Sequence, residues 1–281
     1  MKMKLGLRAH DITIFDDIPK LAQRLNDLNF DYIQFAPRAS MPGVTNHGQN
    51  INFGLANKVK HEFEKQGIQV AVLGCYINMI HPDISERTAA MKLFQKYLTM
   101  VRYFGGNLVG TETGSVDPNF NLTAKNYEPD IVELAIQQIK TLTLTAEKVG
   151  NLIGVEPGVN HPIHSLAVSQ SVLDNVKSPN LQIILDAANL VHDSTQKISE
   201  IVKNAITQFG DRIYAFHIKD YVVENGRAKV VPVGEGMADL QQTLAVIQQY
   251  QPDAFVILDE TPQENFARSL ERINLLTNDL N

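Results

Sequence analysis

The chain has 281 residues and a formal net charge of −6, and 44% of its residues are hydrophobic against 20% that are charged. This composition predicts a folded globular protein, and the acidic balance argues against a nucleic-acid partner, which Lys and Arg would have to attract. Cys75 is the sole cysteine, so no intrachain disulfide can form and a reducing compartment is favoured. No segment reaches the roughly 20 apolar residues of a membrane span. We therefore expect a cytoplasmic protein without a membrane partner.

Short apolar runs alternate with amphipathic stretches along the whole chain. The predicted strands cover residues 4–9, 31–36, 68–75, 106–112, 151–157, 181–187, 212–218 and 254–260. The predicted helices cover residues 18–28, 56–66, 87–104, 131–149, 165–177, 198–209, 240–250 and 265–276, of which 165–177 has the weakest pattern. Glycines such as Gly150 and Gly210 follow predicted helices, where they favour helix ends.

Eight strands alternating with helices predict a parallel sheet, and eight strands are the number that closes a (β/α)8 barrel. An open doubly wound sheet is the alternative, but its Gly-x-Gly-x-x-Gly pattern after the first strand is absent. We therefore expect an α/β protein that forms a (β/α)8 TIM barrel as a single domain, residues 1–281.

Four apolar runs in the second half of the chain each end on a residue that can bind a metal ion. These residues are Glu156, Asp186, His217 and Glu260, spaced by 30, 31 and 43 residues, close to the roughly 30 residues of one strand–helix–strand unit. Because the carboxyl ends of barrel strands meet at one rim, the four side chains should converge on one divalent ion. Three carboxylates and an imidazole, with no thiolate, favour Mn²⁺ or Mg²⁺ and leave Zn²⁺, Co²⁺ and Fe²⁺ open.

A metal ion held by two glutamates on opposite sides of a pocket suits sugar chemistry. Such an ion can bind a carbonyl and a neighbouring hydroxyl oxygen of a sugar and stabilise a developing enediolate. Removing a proton beside the carbonyl needs a base, and returning it needs an acid. Glu156 and Glu260 could form that pair, while Asp186 and His217 would mainly hold the metal ion.

The same positions carry a resemblance that covers nearly the whole chain. Its motifs are Val155-Glu156-Pro157, Leu185-Asp186, His217-Ile-Lys-Asp220 with Pro232-Val-Gly-Glu-Gly236 downstream, and Glu260-Thr-Pro262. In these motifs the chain resembles the xylose-isomerase-like TIM-barrel superfamily, which includes sugar phosphate isomerases and epimerases. The resemblance to ketose 3-epimerases implies that the four residues bind one divalent ion and that the two glutamates exchange the proton. It also implies a homo-oligomer.

The superfamily also contains AP endonucleases of the endonuclease IV type, which hold three zinc ions. Where that pattern has a His three residues after the sixth-strand Asp, this chain has Asn189. The Asp-x-His that precedes the Gly-x-Gly segment is replaced by apolar residues, among them Ala228. Because ligands of the three-metal cluster are missing, we do not expect a role in DNA repair.

Four further residues are candidates for substrate binding: Lys219, Asn189, Glu112 and His10. Lys219 could bind a hydroxyl, carboxylate or phosphate, or it could pair with Asp220 or Glu235. Glu112 could accept a sugar hydroxyl or make a salt bridge, and Asn189 could lie behind the ligands or face the substrate. An anion-binding cluster would indicate a phosphorylated substrate, but with only Lys219, Arg8 and Arg38 as candidate cations this point stays open.

These observations leave three hypotheses. The first is a metal-dependent isomerase or epimerase of carbohydrate metabolism that acts on a small sugar or sugar phosphate. The second is a metal-dependent lyase, a dehydratase acting on an inositol-derived ketone, because the related inosose dehydratases use the same ligands for an elimination. The third is a carbohydrate-binding protein without turnover, which the complete set of four ligands disfavours.

Overall fold

The computed structural model of the protein describes residues 3–261 and 263–278. Pro262, which ends the Glu260-Thr-Pro262 motif, lies outside the described residues, as do the first two and last three residues of the predicted domain. None of the helices in the described part of the chain combines the length and the apolar character needed to span a lipid bilayer.

Eight parallel strands close into a barrel, so the predicted fold is confirmed. The strands are β1 (Lys4–Arg8), β2 (Tyr32–Phe35), β3 (Gln69–Gly74), β4 (Leu108–Thr111), β5 (Leu152–Val155), β6 (Leu181–Asp186), β7 (Ile213–Ile218) and β10 (Phe255–Leu258). Strands pair with their neighbours in chain order, and β10 closes the ring against β1 with Lys4 beside Phe255. All eight predicted strands are present, each shorter by one to three residues than its predicted range, because the predicted ranges extend beyond the hydrogen-bonded ladder.

The predicted helices are present as well, including the weak one at residues 165–177. The helices are α1 (Ile18–Asp27), α2 (Pro37–Ser40), α3 (Phe53–Lys65), α4 (Ile84–Met100), α5 (Pro129–Val149), α6 (Leu166–Val176), α7 (Ile198–Phe209), α8 (Leu240–Tyr250) and α9 (Phe266–Asn278). Asp83 caps α4 by accepting hydrogen bonds from the backbone of Ser85 and Glu86, which satisfies amides that the helix leaves unpaired. Gly150 ends α5 with a φ of 68°, a left-handed conformation that favours glycine.

The barrel interior is filled by apolar side chains. Val72, Leu108, Ile184 and Ala215 form its packed centre. A Cβ atom added at Gly154 would lie 2.9 Å from Ile184 and 2.8 Å from Leu108, so this glycine leaves the room that the larger neighbours fill. The barrel interior is therefore a closed core, and the rim at the carboxyl ends of the strands is where this fold places its sites.

An antiparallel hairpin, β8 (Asp220–Glu224) and β9 (Arg227–Val231), follows β7 and was not predicted. Asp220 at its start accepts hydrogen bonds from the backbone amides of Tyr221, Gly234, Gly236 and Ala238. A Cβ added at Gly236 would collide with an Asp220 carboxylate oxygen. Asp220 and Gly236 thus hold in position the loop that leads from the hairpin to α8.

Candidate metal centre

Three of the four predicted metal ligands meet at the rim of the barrel. Glu156 directly follows β5, Asp186 ends β6, and His217 lies in β7. One ligand atom from each of the three lies within 4.8 Å of the others, a grouping that could hold a metal ion. The three residues are only 3%, 0% and 4% exposed, so they lie below the surface of the rim, in or directly after barrel strands.

A closed ring of polar contacts fixes the orientation of two of these side chains. The His217 ring contacts Gln34 through Nε2, which lies 2.9 Å from the amide oxygen Oε1. Because that oxygen can only accept, Nε2 carries the proton. The Gln34 amide nitrogen donates to the hydroxyl of Tyr76 (2.9 Å), and that hydroxyl donates to Glu156 Oε2 (3.0 Å). Glu156 Oε1 lies 3.4 Å from His217 Nδ1 and closes the ring.

Two atoms of this group lack a hydrogen-bond partner, although they are buried. They are His217 Nδ1 and Asp186 Oδ2, and buried polar atoms without a partner are rare in folded proteins. Since Gln34 engages Nε2, Nδ1 of His217, which lies 3.4 Å from Glu156 Oε1, is the ring atom that could bind a cation. An imidazole nitrogen and two carboxylates are a ligand set that fits a divalent metal ion.

The side chain of Lys219, two residues after His217, also reaches the carboxylates at this rim. Its ammonium lies 2.9 Å from Asp186 Oδ2, 2.9 Å from Glu260 Oε2 and 3.5 Å from Asp259 Oδ2. The lysine is therefore engaged by carboxylates of the site itself and contacts neither Asp220 nor Glu235. Asp186 Oδ2 faces the ammonium as an ion pair, but the geometry of the contact is not that of a hydrogen bond.

Glu260, the fourth predicted ligand, does not join the group of three. Its side chain is 43% exposed and lies beside Lys219, with Arg8 at 3.8 Å. Its backbone φ is 50°, a left-handed conformation that is uncommon for a residue other than glycine and that often occurs at functional sites. The preceding residue, Asp259, is only 4% exposed and points into the barrel, where its carboxylate lies between Arg8 (3.1 Å) and Lys219 (3.5 Å).

The burial of so many charges shifts their pKa values. Burial lowers the pKa of His217, but the carboxylates of Glu156 and Asp259 outweigh it and raise the pKa to about 9. Burial likewise opposes charge on Asp259, yet Arg8 and its other cationic neighbours hold the pKa of that carboxyl well below its usual range. For Lys219, the surrounding carboxylates outweigh burial and hold the pKa of the ammonium well above its usual value. In the metal-free protein these groups are therefore charged at neutral pH.

Glu156 of this group lines a cavity of about 360 Å³, and all four predicted substrate-binding residues line the same cavity. Its lining includes Arg8, His10, Gln34, Arg38, Tyr76, Glu112, Glu156, Asn189, Lys219, Asp259 and Glu260. Asn189 donates from its amide nitrogen to Glu156 Oε1 (3.0 Å) and from its backbone to Asp186 Oδ1 (3.1 Å). Asn189 therefore braces two of the three grouped residues and also faces the cavity.

Glu112, after β4, is held by a histidine that the sequence did not single out. His161 Nδ1 lies 2.9 Å from the carbonyl oxygen of Gly114 and therefore carries a proton, and Nε2 lies 3.3 Å from Glu112 Oε1. Burial lowers the pKa of His161, but Glu112 outweighs it and raises that pKa. In turn, the histidine overcomes burial and lowers the pKa of Glu112. The pair joins a buried histidine to a half-buried carboxylate that lines the cavity.

His10, the last predicted substrate-binding residue, lies in a short helical turn after β1 (Ala9–Asp11). Its Nδ1 is buried and has no hydrogen-bond partner. Burial, followed by the charge of Arg8, lowers the pKa of His10 to about 4. The ring is therefore neutral at pH 7 and can donate or accept a hydrogen bond.

Sequence reasoning missed Gln34, Tyr76, Asp259 and His161 as parts of the site. A signal for Gln34 was present, because a glutamine within the apolar run Tyr32–Phe35 must find a buried partner. Asp259 stood beside the chosen Glu260, and only the register of β10 shows which of the two points inward. Tyr76 and His161 lie in loops, where periodicity gives no orientation.

A second cavity of about 470 Å³ lies outside this site and is mainly apolar. Its lining includes Leu122, Val159, Leu166, Leu190 and Ile201. It contains none of the predicted metal-binding or substrate-binding residues. The titratable groups are concentrated in the smaller cavity, which is the candidate active site.

Comparisons with solved structures agree with the fold. A D-tagatose 3-epimerase-like protein matches with a TM-score of 0.79 at 14% identity, over 99% of this chain and 98% of that one. The probable 3-DHS dehydratase AsbF of Bacillus anthracis matches with a TM-score of 0.75 at 14% identity, over 98% and 99%. The IolI protein, solved with a zinc atom, matches with a TM-score of 0.73 at 15% identity, over 99% and 98%.

A comparison with curated protein sequences finds no match. The sequence model of the family described as xylose isomerase-like TIM barrel matches residues 22–276, which is most of the chain. The chain thus belongs to the xylose isomerase-like TIM barrel family.

Proposed function

We propose that the protein is a divalent-metal-dependent isomerase or epimerase that moves a proton beside the carbonyl of a sugar or sugar phosphate. The observation that carries this proposal is the buried group of Glu156, Asp186 and His217, of which Glu156 lines the cavity, with His217 Nδ1 and Asp186 Oδ2 held in ion pairs but without a hydrogen-bond partner. A protein that only bound a sugar would not need a buried charged group of this kind.

The residues that would hold the ion are Glu156, Asp186 and His217, with Glu260 as a fourth ligand from the side of β10. Carboxylates and one imidazole favour Mn²⁺ or Mg²⁺, and a solved structure with this fold contains a zinc atom. A divalent ion bound there would act as a Lewis acid that stabilises the negative charge of an enediolate.

Glu156 and Glu260 are the proposed acid–base pair. They follow β5 and β10, which are three strands apart in the ring of eight, so they approach the cavity from different sides. Glu156 is oriented by the Tyr76 hydroxyl on Oε2 and the Asn189 amide on Oε1. Glu260 is held by Lys219 and reaches the more open part of the cavity. One glutamate would take a proton from the carbon beside the carbonyl, and the other would return one to the opposite face.

The remaining candidates bind the substrate. Asn189, Glu112 and His10 line the cavity and offer an amide, a carboxylate and a neutral imidazole to sugar hydroxyls. Lys219 keeps the carboxylates of Asp186 and Glu260 in position and adds a fixed positive charge. We propose a small-molecule substrate and no nucleic-acid or membrane partner. Each chain would form one barrel domain, residues 1–281, and the chains would assemble into a homo-oligomer.

A metal-dependent dehydratase of the inosose dehydratase type is the second candidate. The Glu112–His161 pair favours it, because an elimination needs an acid for the departing hydroxyl, and His161, whose pKa is raised, could supply a proton through Glu112, which lines the cavity. A dehydratase among the solved structures with this fold supports the same choice. The grouped residues serve both reactions, so they do not separate an isomerase from a lyase.

One experiment tests both candidates. Metal-loaded protein is incubated in D₂O with a panel of ketoses and inososes, and the products are followed by NMR and mass spectrometry. Deuterium at the carbon beside the carbonyl, with product mass unchanged apart from the label, supports the isomerase or epimerase. Loss of water supports the dehydratase. Tight sugar binding without exchange or elimination would contradict both and indicate a binding protein.

A further inference from the structure

The cations that line the candidate active-site cavity differ in whether they have partners. Arg8 is engaged by Asp11 at 2.6 Å and by Asp259 at 3.1 Å. Lys219 is engaged by Asp186 and Glu260, both at 2.9 Å. Arg38 lines the same cavity and, within residues 3–261 and 263–278, makes neither an ion pair nor a side-chain hydrogen bond. Its guanidinium is therefore the cation available to a ligand.

The base of Arg38 is held by a fixed piece of backbone. Arg38 lies in α2, directly after β2. In the loop that follows, the Thr45 hydroxyl donates to the Met41 carbonyl (2.6 Å) and accepts from the Gly48 amide (2.8 Å). The Tyr97 hydroxyl donates to the Gly48 carbonyl (3.0 Å). A Cβ added at Gly48 would lie 3.0 Å from the Cβ of Arg38, so the loop packs against the root of the arginine.

A second unpartnered group lies on the neighbouring segment. The turn Ala9–Asp11 contacts α2, and His10 in that turn lines the cavity with a buried Nδ1 that has no hydrogen-bond partner. This wall, formed after β1 and β2, thus carries an unpartnered guanidinium and, beside it, an imidazole whose buried Nδ1 has no hydrogen-bond partner. The wall formed by β5 to β7 carries the candidate metal ligands.

We propose that Arg38, assisted by His10, binds an anionic group of the substrate, so that the substrate is a hydroxy-ketone bearing a phosphate or a carboxylate. This inference rests on the proposed function and narrows it. The planar guanidinium offers paired N–H donors that match two oxygens of either anion. The carbonyl end of the substrate then faces the metal side, and its charged end faces Arg38. A divalent ion at the three grouped residues would offset the carboxylates that otherwise repel an anion.

The first test compares substrates that differ only in charge. Wild type and Arg38→Ala are assayed by deuterium exchange with D-fructose, D-fructose 6-phosphate and 5-keto-D-gluconate. In Arg38→Ala, the KM for the anionic substrate should rise about 10- to 100-fold, the loss expected for a charge-assisted contact. The kcat should stay within about twofold, and the kinetics with the neutral sugar should not change. Whichever anion shows the larger effect identifies phosphate or carboxylate as the group.

Two variants serve as controls. Arg38→Lys keeps the charge without the fork of donors and should recover part of the lost KM. Arg24→Ala removes an exposed arginine of α1 that does not line the cavity, and it should match wild type with every substrate. Equal kcat/KM values for neutral and anionic substrates in wild type, unchanged in Arg38→Ala, would overturn the inference while leaving the proposed function intact.

The second test does not depend on turnover. Inorganic phosphate and acetate are titrated calorimetrically into metal-loaded wild type and Arg38→Ala. Binding that is present in wild type and lost in Arg38→Ala supports the anion site even if no sugar is converted, in which case only the proposed function fails. Binding that persists in Arg38→Ala, or no binding of either anion to wild type, contradicts the assignment to Arg38.

Discussion

The two walls of the candidate active site hold their charged side chains in different ways. On the wall of β5 to β7, Glu156, Asp186 and His217 are nearly inaccessible, and neighbours such as Gln34 fix their orientation. On the wall after β10, β1 and β2, Arg8, Asp259 and Glu260 form ion pairs, while Arg38 has no partner within the described residues. We call the first the rigid wall, because its side chains are held in position before a ligand binds. We call the second the exchangeable wall, because its charged side chains can leave their ion pairs to contact a ligand. Fixed side chains suit the binding of a metal ion, and side chains that can change partners suit the binding of a substrate.

The strongest effect is expected on the rigid wall. Glu156→Gln removes a charge from the group of three and the proposed base, so kcat should fall by about 10³-fold or more. Metal affinity, measured by calorimetry, should fall with it. The control Glu133→Gln changes an exposed glutamate of α5 and should leave both quantities unchanged. Near-normal turnover in Glu156→Gln would remove this residue from the mechanism.

The next largest effect distinguishes the roles of two adjacent carboxylates on the exchangeable wall, Glu260 and Asp259. Glu260→Gln should lower kcat by about 10²-fold or more with little change in melting temperature, because this side chain is partly exposed. Asp259→Asn should instead destabilise the fold by about 3 kcal/mol, since Arg8 and Lys219 would lose a buried partner. Thermal unfolding and exchange kinetics on both variants check this. The opposite assignment would follow if Asp259→Asn kept its stability and lost turnover while Glu260→Gln stayed active.

A smaller effect is expected from the residues that hold the candidate metal ligands of the rigid wall in position. Tyr76→Phe removes the hydroxyl that connects Gln34 to Glu156, and loss of such a contact typically lowers metal affinity by about 10- to 100-fold. Tyr97→Phe is a matched control, because its hydroxyl contacts the Gly48 carbonyl outside the site. Equal metal affinities for the two variants would show that the ring of polar contacts does not orient the ligands.

The smallest expected effect is the change in metal affinity for each unit of pH. In the metal-free protein the pKa of His217 is raised to about 9, so a metal ion must displace a proton from the ring at neutral pH. Affinity should therefore rise by about tenfold for each pH unit up to pH 9 and then level off. The same raised pKa stabilises the metal-free fold below about pH 6.5, and this stabilisation is lost as the pH rises through 9. A flat affinity profile between pH 7 and 9 would contradict the position of this proton.

The parts of the site that could be predicted from the sequence are those fixed by strand ends. Glu156, Asp186 and His217 come at the spacing of successive strands, and a closed parallel barrel brings such positions to one rim. Glu260 came at a longer spacing of 43 residues, and the sequence does not reveal the left-handed backbone conformation that Glu260 adopts after Asp259. The hairpin after β7 was missed because Lys219 and Asp220 stood out as charged site residues and not as the start of a strand. The Glu112–His161 contact joins two loops, and no local pattern predicts such a pairing.

The position of the Lys219 ammonium affects the stability of the protein when no metal ion is bound. Placed among Asp186, Asp259 and Glu260, it neutralises acids that would otherwise repel one another inside the barrel. The chain thus carries its own counter-ion, so chelation should abolish turnover without unfolding the protein. We expect an empty barrel that persists in solution and regains activity when the cation is restored.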